Sequence, residues 1–276
     1  MIFMSKKAFA VKSLIAGLTI GTGIIHAGRY VMHTASNTEH MYDSIRYGLS
    51  LIKRKFRLTK LGAGEYADMT MYKLFKFHVE RYYIEGVGNL SVMSSRMAAM
   101  QMSTFVITPY ESNIPLASFD LMYTLGKRKF VIEFYDVVKD KENEEYRRII
   151  ADLKAVGEGF SDLEDIPPRK DDPEWLDKCR SVKIHKQMEI EKDTRAILLF
   201  TRTLTAYLEA AKRVGTSSVG DKASQLVCVR EYVDNMLAES GVSTAMFKKA
   251  YGTEVTRDFF YKVFFGCDDE QTDINT

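Results

Sequence analysis

The 276-residue chain has few of the residues and motifs from which common cofactor sites are built. Its three cysteines, Cys179, Cys228 and Cys267, lie far apart, and no CxxC, CxxH or HExxH spacing occurs. Zinc sites and iron–sulfur clusters usually have such spacings, and a disulfide framework needs several cysteines that can pair, so we expect none of them. GxGxxG and GxxxxGK[ST] are also missing, which argues against a dinucleotide fingerprint and a P-loop. The five histidines are scattered along the chain, at His26, His33, His40, His78 and His185.

The chain also has little net charge, because acidic and basic residues are nearly equal in number. Lys and Arg together number 39, and Asp and Glu together number 37. Without a net positive field, general attraction to nucleic acid is not expected, and an anionic partner would need a local basic patch. Apolar residues make up 46% of the chain and charged residues 28%, which is typical of a globular protein that can bury a large core.

The first 30 residues differ from the rest of the chain. Lys6, Lys7 and Lys12 precede an apolar, glycine-rich run at 13–28. This run is shorter than the ~20 residues that a membrane-spanning helix needs. Three interpretations remain open: a helix docked on the domain or on a partner subunit, a membrane tether, and an export signal.

A basic segment at 53–60 follows. Ile45, Leu49 and Ile52 repeat at helical spacing before it, so the pattern predicts a helix whose basic side chains are solvated. The alternative is a surface for an acidic partner or for lipid headgroups.

The segment 61–68, LGAGEYAD, has the composition of a linker. We therefore expect an N-terminal apolar and basic helical appendage over 1–68. The main domain would then span 69–276.

Beyond this segment the apolar residues alternate, as they do in strands with one buried face. Alternation predicts strands at 76–84, 102–109, 117–125 and 128–137. The methionine-rich segment 91–101 fits either a strand or a short helix.

The C-terminal half has helical periodicity. Helices are predicted from about Glu142 onward, and then at 193–215, 221–239, 243–251 and 254–265. Strands that come first and helices that follow indicate an α+β fold, in which helices sandwich an antiparallel sheet. We expect this α/β/α sandwich.

One hairpin carries the candidate chemistry. If Gly126 and Lys127 are its two turn residues, Asp120 lies directly across from Glu133, with Cβ atoms ~5 Å apart. Carboxylates so close would share a proton, which would raise one pKa and provide a proton donor. We therefore expect Thr104–Val137 to form strands whose acidic face lines a ligand pocket. The alternatives are a solvated face or a slip of one residue, which would separate the two acids.

Two segments resemble a known family. The stretch TFVITPYESNIPLASFDLM at 104–122 resembles the central motif of the ferredoxin-dependent bilin reductases. The block MFKKAYGTEVTRDFFYKVFFG at 246–266 is similar to the C-terminal signature of that family. The resemblance extends over 69–276 and leaves 1–68 unmatched. The positions that match the central motif are Pro109, Asn113, Pro115, Asp120 and Leu121.

The resemblance implies a fold and a reaction. Family members fold as an antiparallel sheet between helices and bind an open-chain tetrapyrrole such as biliverdin between the sheet and the C-terminal helices. They reduce it with single electrons from ferredoxin or flavodoxin and carry no cofactor of their own. Asp120 corresponds to the family aspartate that supplies protons, with Glu133 beside it in the predicted hairpin. Candidate substrate contacts are Thr104, Asn113, Ser118, Met122 and Arg128, the last as a partner for the bilin propionates.

The chain also departs from the family pattern. Thr104 stands where some members have a histidine, and Gly241 aligns with a second aspartate, with Glu239 nearby. Ala117-Ser118 replaces an FG pair, and Gly266 replaces a terminal acidic residue. Because two proton donors are replaced, binding of a tetrapyrrole or another hydrophobic ligand without turnover is a second hypothesis.

Basic residues complete the predictions. Lys127, Lys129, Lys248 and Lys249 are candidates for docking an acidic electron carrier. A third hypothesis is a membrane-associated interaction protein that uses residues 1–30. We expect a cytoplasmic protein and leave peripheral membrane contact open.

Overall fold

The computed structural model describes residues 20–97, 100–167, 173–239 and 241–268. Residues 1–19, with the first lysines and half of the apolar run, lie outside the described residues. The three interpretations of the N-terminal run therefore stay predictions.

An antiparallel sheet forms the centre of the described chain. It has nine strands in the order β1-β3-β4-β5-β6-β7-β9-β8, with β2 paired to β3. Every pairing is antiparallel. The strands are β1 (Leu58–Leu61), β2 (Asp68–Met71), β3 (Phe75–Ile84), β4 (Gly88–Met97), β5 (Met100–Thr108), β6 (Leu116–Thr124), β7 (Lys127–Tyr135), β8 (Glu164–Asp165) and β9 (Arg180–Glu189).

Helices cover both faces of this sheet. They are α1 (Ile20–Lys55), α2 (Glu144–Glu158), α3 (Glu174–Cys179), α4 (Asp193–Val214), α5 (Val219–Ala238), α6 (Val242–Tyr251) and α7 (Thr253–Phe259), which continues into a π-helical turn at Phe260–Phe264. Short 3₁₀ turns occur at Gly64–Tyr66 and Ile190–Lys192. The predicted α+β sandwich is confirmed.

The two faces bury separate cores, because alternate residues of each strand point to opposite sides. On the first face, Phe105, Phe119 and Ile132 pack against α1, α2 and α4. On the second face, Val79, Met93 and other apolar residues belong to a core that α5, α6, α7 and the π-helical turn complete. Candidate chemistry on one face is therefore separated from the other by the sheet.

Helix α1 belongs to the first core. Met41 and Ile52 are fully buried there, and a Cβ added at Gly48 would lie 2.7 Å from the Phe105 ring. The apolar residues whose repeat predicted this helix, Ile45, Leu49 and Ile52, lie on the side of the helix that packs on the sheet. Strand β1 also pairs with β3 along its whole length. The segment 34–61, which the sequence assigned to an appendage, thus contributes to the same core and the same sheet.

The ambiguous methionine-rich segment is a strand where it is described. Residues 91–97 continue β4, and β5 begins at Met100. Residues 98 and 99, between the two strands, lie outside the described residues.

The hairpin of β6 and β7 has a different register from the predicted one. Its turn residues are Leu125 and Gly126, so Asp120 lies opposite Val131 and Ser118 lies opposite Glu133. The predicted pairing of Asp120 with Glu133 is therefore wrong by two positions. A shift of two conserves the side on which each residue points, so both acids still lie on the second face, as diagonal neighbours.

Candidate functional site

A row of side chains crosses the second face at the level of Asp120. The register of the sheet places six residues side by side, one from each of β3, β4, β5, β6, β7 and β9. In that order they are Val79, Met93, Thr104, Asp120, Val131 and His185. Three of these strands, β5, β6 and β9, bring a titratable or hydroxyl side chain to the row, and Asp120 and His185 flank Val131.

Asp120 and Thr104 form the centre of this row. Asp120 is half-buried, whereas Thr104 is only 3% exposed. The Thr104 hydroxyl donates to Asp120 Oδ1 at 2.5 Å. A threonine hydroxyl can donate or accept a hydrogen bond, so it can partner either protonation state of a carboxyl group. Thr104 thus positions Asp120 without titrating itself.

Methionines make the surroundings of Asp120 apolar and adaptable. Met93 lies opposite Thr104, and Met102 lies opposite Met122 in the next row. Met93 is buried, while Met102 and Met122 are half-buried. Unbranched thioether side chains adjust their shape to a contacting surface. This part of the second face can therefore pack against a flat apolar ligand.

Glu133 has different partners from those that the sequence predicted. It is 9% exposed and accepts hydrogen bonds from Arg180 Nη1 at 2.5 Å, from His185 Nε2 at 2.8 Å and from the Tyr135 hydroxyl. Burial acts to raise the pKa of Glu133, but the bonds from His185 and Tyr135 and the charge of Arg180 outweigh it, and the pKa lies below its ordinary value. Glu133 is therefore an ionised member of a buried cluster, and sharing a proton with Asp120 is not its role.

Arg128 cannot face the same ligand as Asp120, because it points to the first face. It is 1% exposed, and its guanidinium binds both carboxylate oxygens of Asp193, at 2.5 and 2.9 Å. It also donates to Asn37 Oδ1 at 2.8 Å and to the Thr124 carbonyl at 3.2 Å. The predicted contact with bilin propionates is replaced by a buried junction between α1, the hairpin and α4.

The remaining predicted substrate contacts lie at two places. Ser118 and Met122 flank Asp120 on the second face, and both are half-buried. Asn113 is half-buried in the loop between β5 and β6, at the end of the sheet. Sequence proximity to the motif therefore does not bring Asn113 next to Asp120.

The predicted docking lysines are also dispersed. Lys129 lies on the second face opposite Met122, and Lys127 pairs with Glu189 at 3.2 Å. Lys248 donates to the carbonyl of Leu237 at the end of α5, whereas Lys249 is exposed on α6. A carrier surface that includes all four stays a prediction.

The C-terminal block docks on the second face through the backbone. Asn89 and Ser91 on β4 donate to carbonyls of the π-helical turn, and Ser91 Oγ lies 2.6 Å from the Val263 oxygen. Gly266 follows with φ +59°, and a Cβ added there would lie 2.5 Å from the Asn89 side chain. The close approach accounts for glycine at the position where the resemblance predicted an acidic residue. Glu239, the acidic residue near Gly241 in the sequence, is exposed at the end of α5.

His185 is the site residue that sequence reasoning missed. It lies on β9, which is not among the strands predicted from the sequence. The signal was present, since Val182, Ile184 and Met188 alternate with polar residues. That alternation would have placed His185 on the side opposite the apolar residues.

Two clefts open elsewhere on the described chain. One of about 510 Å³ includes Glu111 and Lys222, and one of about 410 Å³ includes Asp136 and Tyr146. Neither includes Asp120. Among the described residues, no group of three or more His, Cys, Asp or Glu side chains is arranged to hold a metal ion. Within those same ranges, no helix is both long enough and apolar enough to cross a membrane.

Comparison with known proteins identifies a fold. No protein-family model matches the chain, and no curated protein matches it by sequence. Among solved structures, the chain is similar to phytochromobilin synthase from tomato in complex with biliverdin, with a TM-score of 0.66. The two are 15% identical, over 81% of this chain and 82% of the tomato protein. This similarity establishes the shared fold.

Proposed function

We propose that this protein binds a linear tetrapyrrole on the second face of the sheet and reduces it, with Asp120 as proton donor and with electrons from ferredoxin or flavodoxin. The observation that carries the proposal is a half-buried carboxyl group in the middle of a methionine-rich sheet face, beside the C-terminal helices. The fold shared with a biliverdin-binding protein supports it.

The chemistry requires a proton donor next to an apolar contact surface. Protonation of a tetrapyrrole makes the ligand easier to reduce, so a carboxyl group within hydrogen-bond reach assists the electron transfer. Met102 and Met122 would contact the conjugated ligand, and Asp120 would meet a polar atom of it. Thr104 would keep the carboxyl group in place through either protonation state.

Mixing the purified protein with biliverdin under strictly anaerobic conditions tests this function. We expect a shift of the biliverdin absorption bands on binding, followed by bleaching when reduced ferredoxin is added. Absence of any spectral shift would exclude tetrapyrrole binding. A shift without bleaching would exclude reduction and leave binding.

The role of Asp120 is tested with Asp120→Asn, which retains the size of the side chain and removes the acidic proton. We expect biliverdin binding within about threefold of wild type and reduction slowed about 100-fold, since general acids contribute about 10²–10⁴-fold. The matched control is Asp140→Asn, because Asp140 is an exposed aspartate in the loop after β7. Reduction by Asp120→Asn at the wild-type rate would rule out the assigned role.

Binding without turnover is the second candidate function. It is favoured by Thr104, a residue that cannot titrate in the protein pH range and that lies directly opposite Asp120. In that case the same face would hold the tetrapyrrole, and the spectral shift would be unaffected by reduced ferredoxin.

The electron carrier and the membrane call for separate experiments. Docking of an acidic carrier through Lys129 and Lys249 should weaken as salt increases, because exposed charges are screened. We would measure the reduction rate against ionic strength, with Lys129→Gln and Lys249→Gln.

For the third hypothesis, a membrane-associated interaction protein, cell fractionation with and without residues 1–30 would decide whether this segment brings the protein to a membrane.

A further inference from the structure

His185 shares the second face with Asp120. It lies opposite Val131, which in turn lies opposite Asp120. Two strand spacings of ~4.8 Å place the two backbones roughly 10 Å apart. The His185 side chain is 21% exposed, so it is accessible from the face that we propose for the tetrapyrrole. One extended ligand lying across Val131 would contact both residues.

A carboxylate holds one side of the His185 ring. Nε2 lies 2.8 Å from Glu133 Oε1, and Nδ1 has no hydrogen-bond partner among the described residues. Glu133 is itself fixed by Arg180, which is only 3% exposed and also binds Asp177 at 2.7 Å. A fixed carboxylate that orients an imidazole leaves the opposite ring nitrogen available for proton transfer.

We propose that His185 is a second proton donor to the same tetrapyrrole, with Glu133 as the positioning residue that orients its ring. The inference rests on the proposed function, since it assigns a residue to that site. Asp120 and His185 would then deliver protons to two different parts of one ligand.

The reaction balances when a one-electron carrier supplies the electrons. Two one-electron transfers from a reduced iron–sulfur or flavin carrier supply two electrons to the tetrapyrrole. The Asp120 carboxyl group gives one proton, and the His185 imidazolium gives one from Nδ1 while Nε2–H continues to donate to Glu133. The ligand gains two hydrogens, the carrier is oxidised, and solvent reprotonates both side chains.

Other charged groups surround His185. On β9 itself, Lys183 shares its face and is exposed. Glu133 and Lys129 face it from β7, and Glu164 on β8 lies opposite Gln187. Lys183 and Arg180 both bind Asp177. A pH profile therefore needs a variant that changes the histidine alone.

Two variants of the full-length chain test the proposal. For His185→Gln we expect biliverdin affinity within about threefold of wild type, a reduction rate about 100-fold lower, and loss of one limb of the pH profile. The control is His78→Gln. His78 is a half-exposed histidine on β3, near the opposite edge of the sheet from β9, and it pairs with Asp68. Its rate and pH profile should match those of wild type.

For Glu133→Gln we would add nitrogen NMR of the histidine rings in the absence of carrier. Loss of orientation should change the tautomer signals of His185 and leave those of His78 unchanged. A purely structural role of Glu133 would lower stability without changing the tautomer.

The possible outcomes distinguish a failure of the proposed function from a failure of the role assigned to His185. No spectral shift with biliverdin in wild type would overturn the proposed function and this inference together. Binding without reduction in wild type would retain the binding function and overturn the role of His185. Reduction by His185→Gln at the wild-type rate, with an unchanged pH profile, would overturn the inference and leave the proposed function in place.

Discussion

Thr104 and Asp120 face one another across β5 and β6, and the threonine hydroxyl donates to Asp120 Oδ1 at 2.5 Å. Thr104 is buried and Asp120 is half-buried, so the hydrogen bond forms where water competes only from one side. The pair thus couples the position of the candidate proton donor to the rigid centre of the sheet.

The first prediction concerns this hydrogen bond. Thr104→Val conserves the shape of the side chain and removes the hydroxyl, so we expect the free energy of unfolding to fall by about 1 kcal/mol, since a typical intramolecular hydrogen bond contributes about 0.5–1.5 kcal/mol. Thr104→Ser is the control, because it retains the hydroxyl. Urea unfolding of both variants, combined with Asp120→Ala in a double-mutant cycle, measures the coupling, because alanine removes the acceptor. Additive effects of Thr104→Val and Asp120→Ala would contradict the bond.

The second prediction concerns Arg128. Its buried guanidinium binds Asp193 with two hydrogen bonds, so Arg128→Met removes both of them and leaves the aspartate with His40 Nε2, 3.3 Å from its Oδ2. We expect the free energy of unfolding to fall by about 3 kcal/mol. Biliverdin affinity, measured where the variant is folded, should not change, because Arg128 lies on the face opposite Asp120.

Lys127→Met is the matched control for Arg128→Met. Lys127 precedes Arg128 in the chain, but its pair with Glu189 is exposed, so its loss should cost less than about 1 kcal/mol. Equal urea midpoints for the two variants would refute the structural role of Arg128. A loss of biliverdin binding in folded Arg128→Met would restore the propionate contact that the sequence predicted.

The sequence identified the face of Asp120 correctly although the register was wrong. Alternation of apolar residues along β6 and β7 decides which side each residue faces, and an error of two positions does not change that side. The register itself depends on the turn at Leu125 and Gly126. Thr124 donates to the Lys127 carbonyl at 2.8 Å and stabilises this turn, which lies one residue earlier than the predicted one. A pattern of apolar residues contains no information on that bond.

Other parts of the site depend on partners that are distant in sequence. Arg128 meets Asp193, and Glu133 meets Arg180 and His185. Each of these three pairs joins different elements of the fold, so none of them could be predicted from local periodicity. The helix that contains Ile45 and Ile52 was predicted, but its packing against Phe105 depends on the close approach at Gly48. Local pattern therefore predicted elements and faces, whereas the tertiary contacts decided the roles of the charged residues.

The third prediction is a pH dependence of stability from Glu133. Its folded-state pKa lies below the ordinary value of 4.5, although burial alone would raise it, because His185, Tyr135 and Arg180 stabilise the carboxylate. A depressed folded pKa means that the contribution is present above the unfolded pKa and is lost as pH falls through the folded pKa. We therefore expect Glu133→Gln to be less stable than wild type at neutral pH.

The difference between wild type and Glu133→Gln should shrink as the pH is lowered below about 4.5. Urea unfolding at a series of pH values from neutral to acidic measures it. Glu191→Gln serves as the control, since Glu191 is exposed and should leave the pH dependence unchanged. A difference that stays constant over the whole series would contradict an ionised Glu133 in the folded state.

The fourth prediction concerns Gly266, where the C-terminal block approaches the sheet. Its φ of +59° is unfavourable for other residues, and an added Cβ would lie 2.5 Å from the Asn89 side chain and 2.9 Å from Arg81 Nη2. Gly266→Ala should therefore lower the free energy of unfolding by about 1–3 kcal/mol, the usual cost of a strained backbone position. It should also loosen the π-helical turn that Asn89 and Ser91 hold, which hydrogen exchange of the block 253–265 would detect.

Gly220→Ala is the matched control for Gly266→Ala. Gly220 lies in the first turn of α5 with nothing within 4 Å of an added Cβ, so alanine there should leave stability unchanged or raise it by up to about 1 kcal/mol. Because the C-terminal block covers part of the second face, Gly266→Ala should also weaken biliverdin binding, whereas Gly220→Ala should not. If both variants unfold at the wild-type urea concentration and exchange amide protons at the wild-type rate, the block does not depend on the close approach at Gly266.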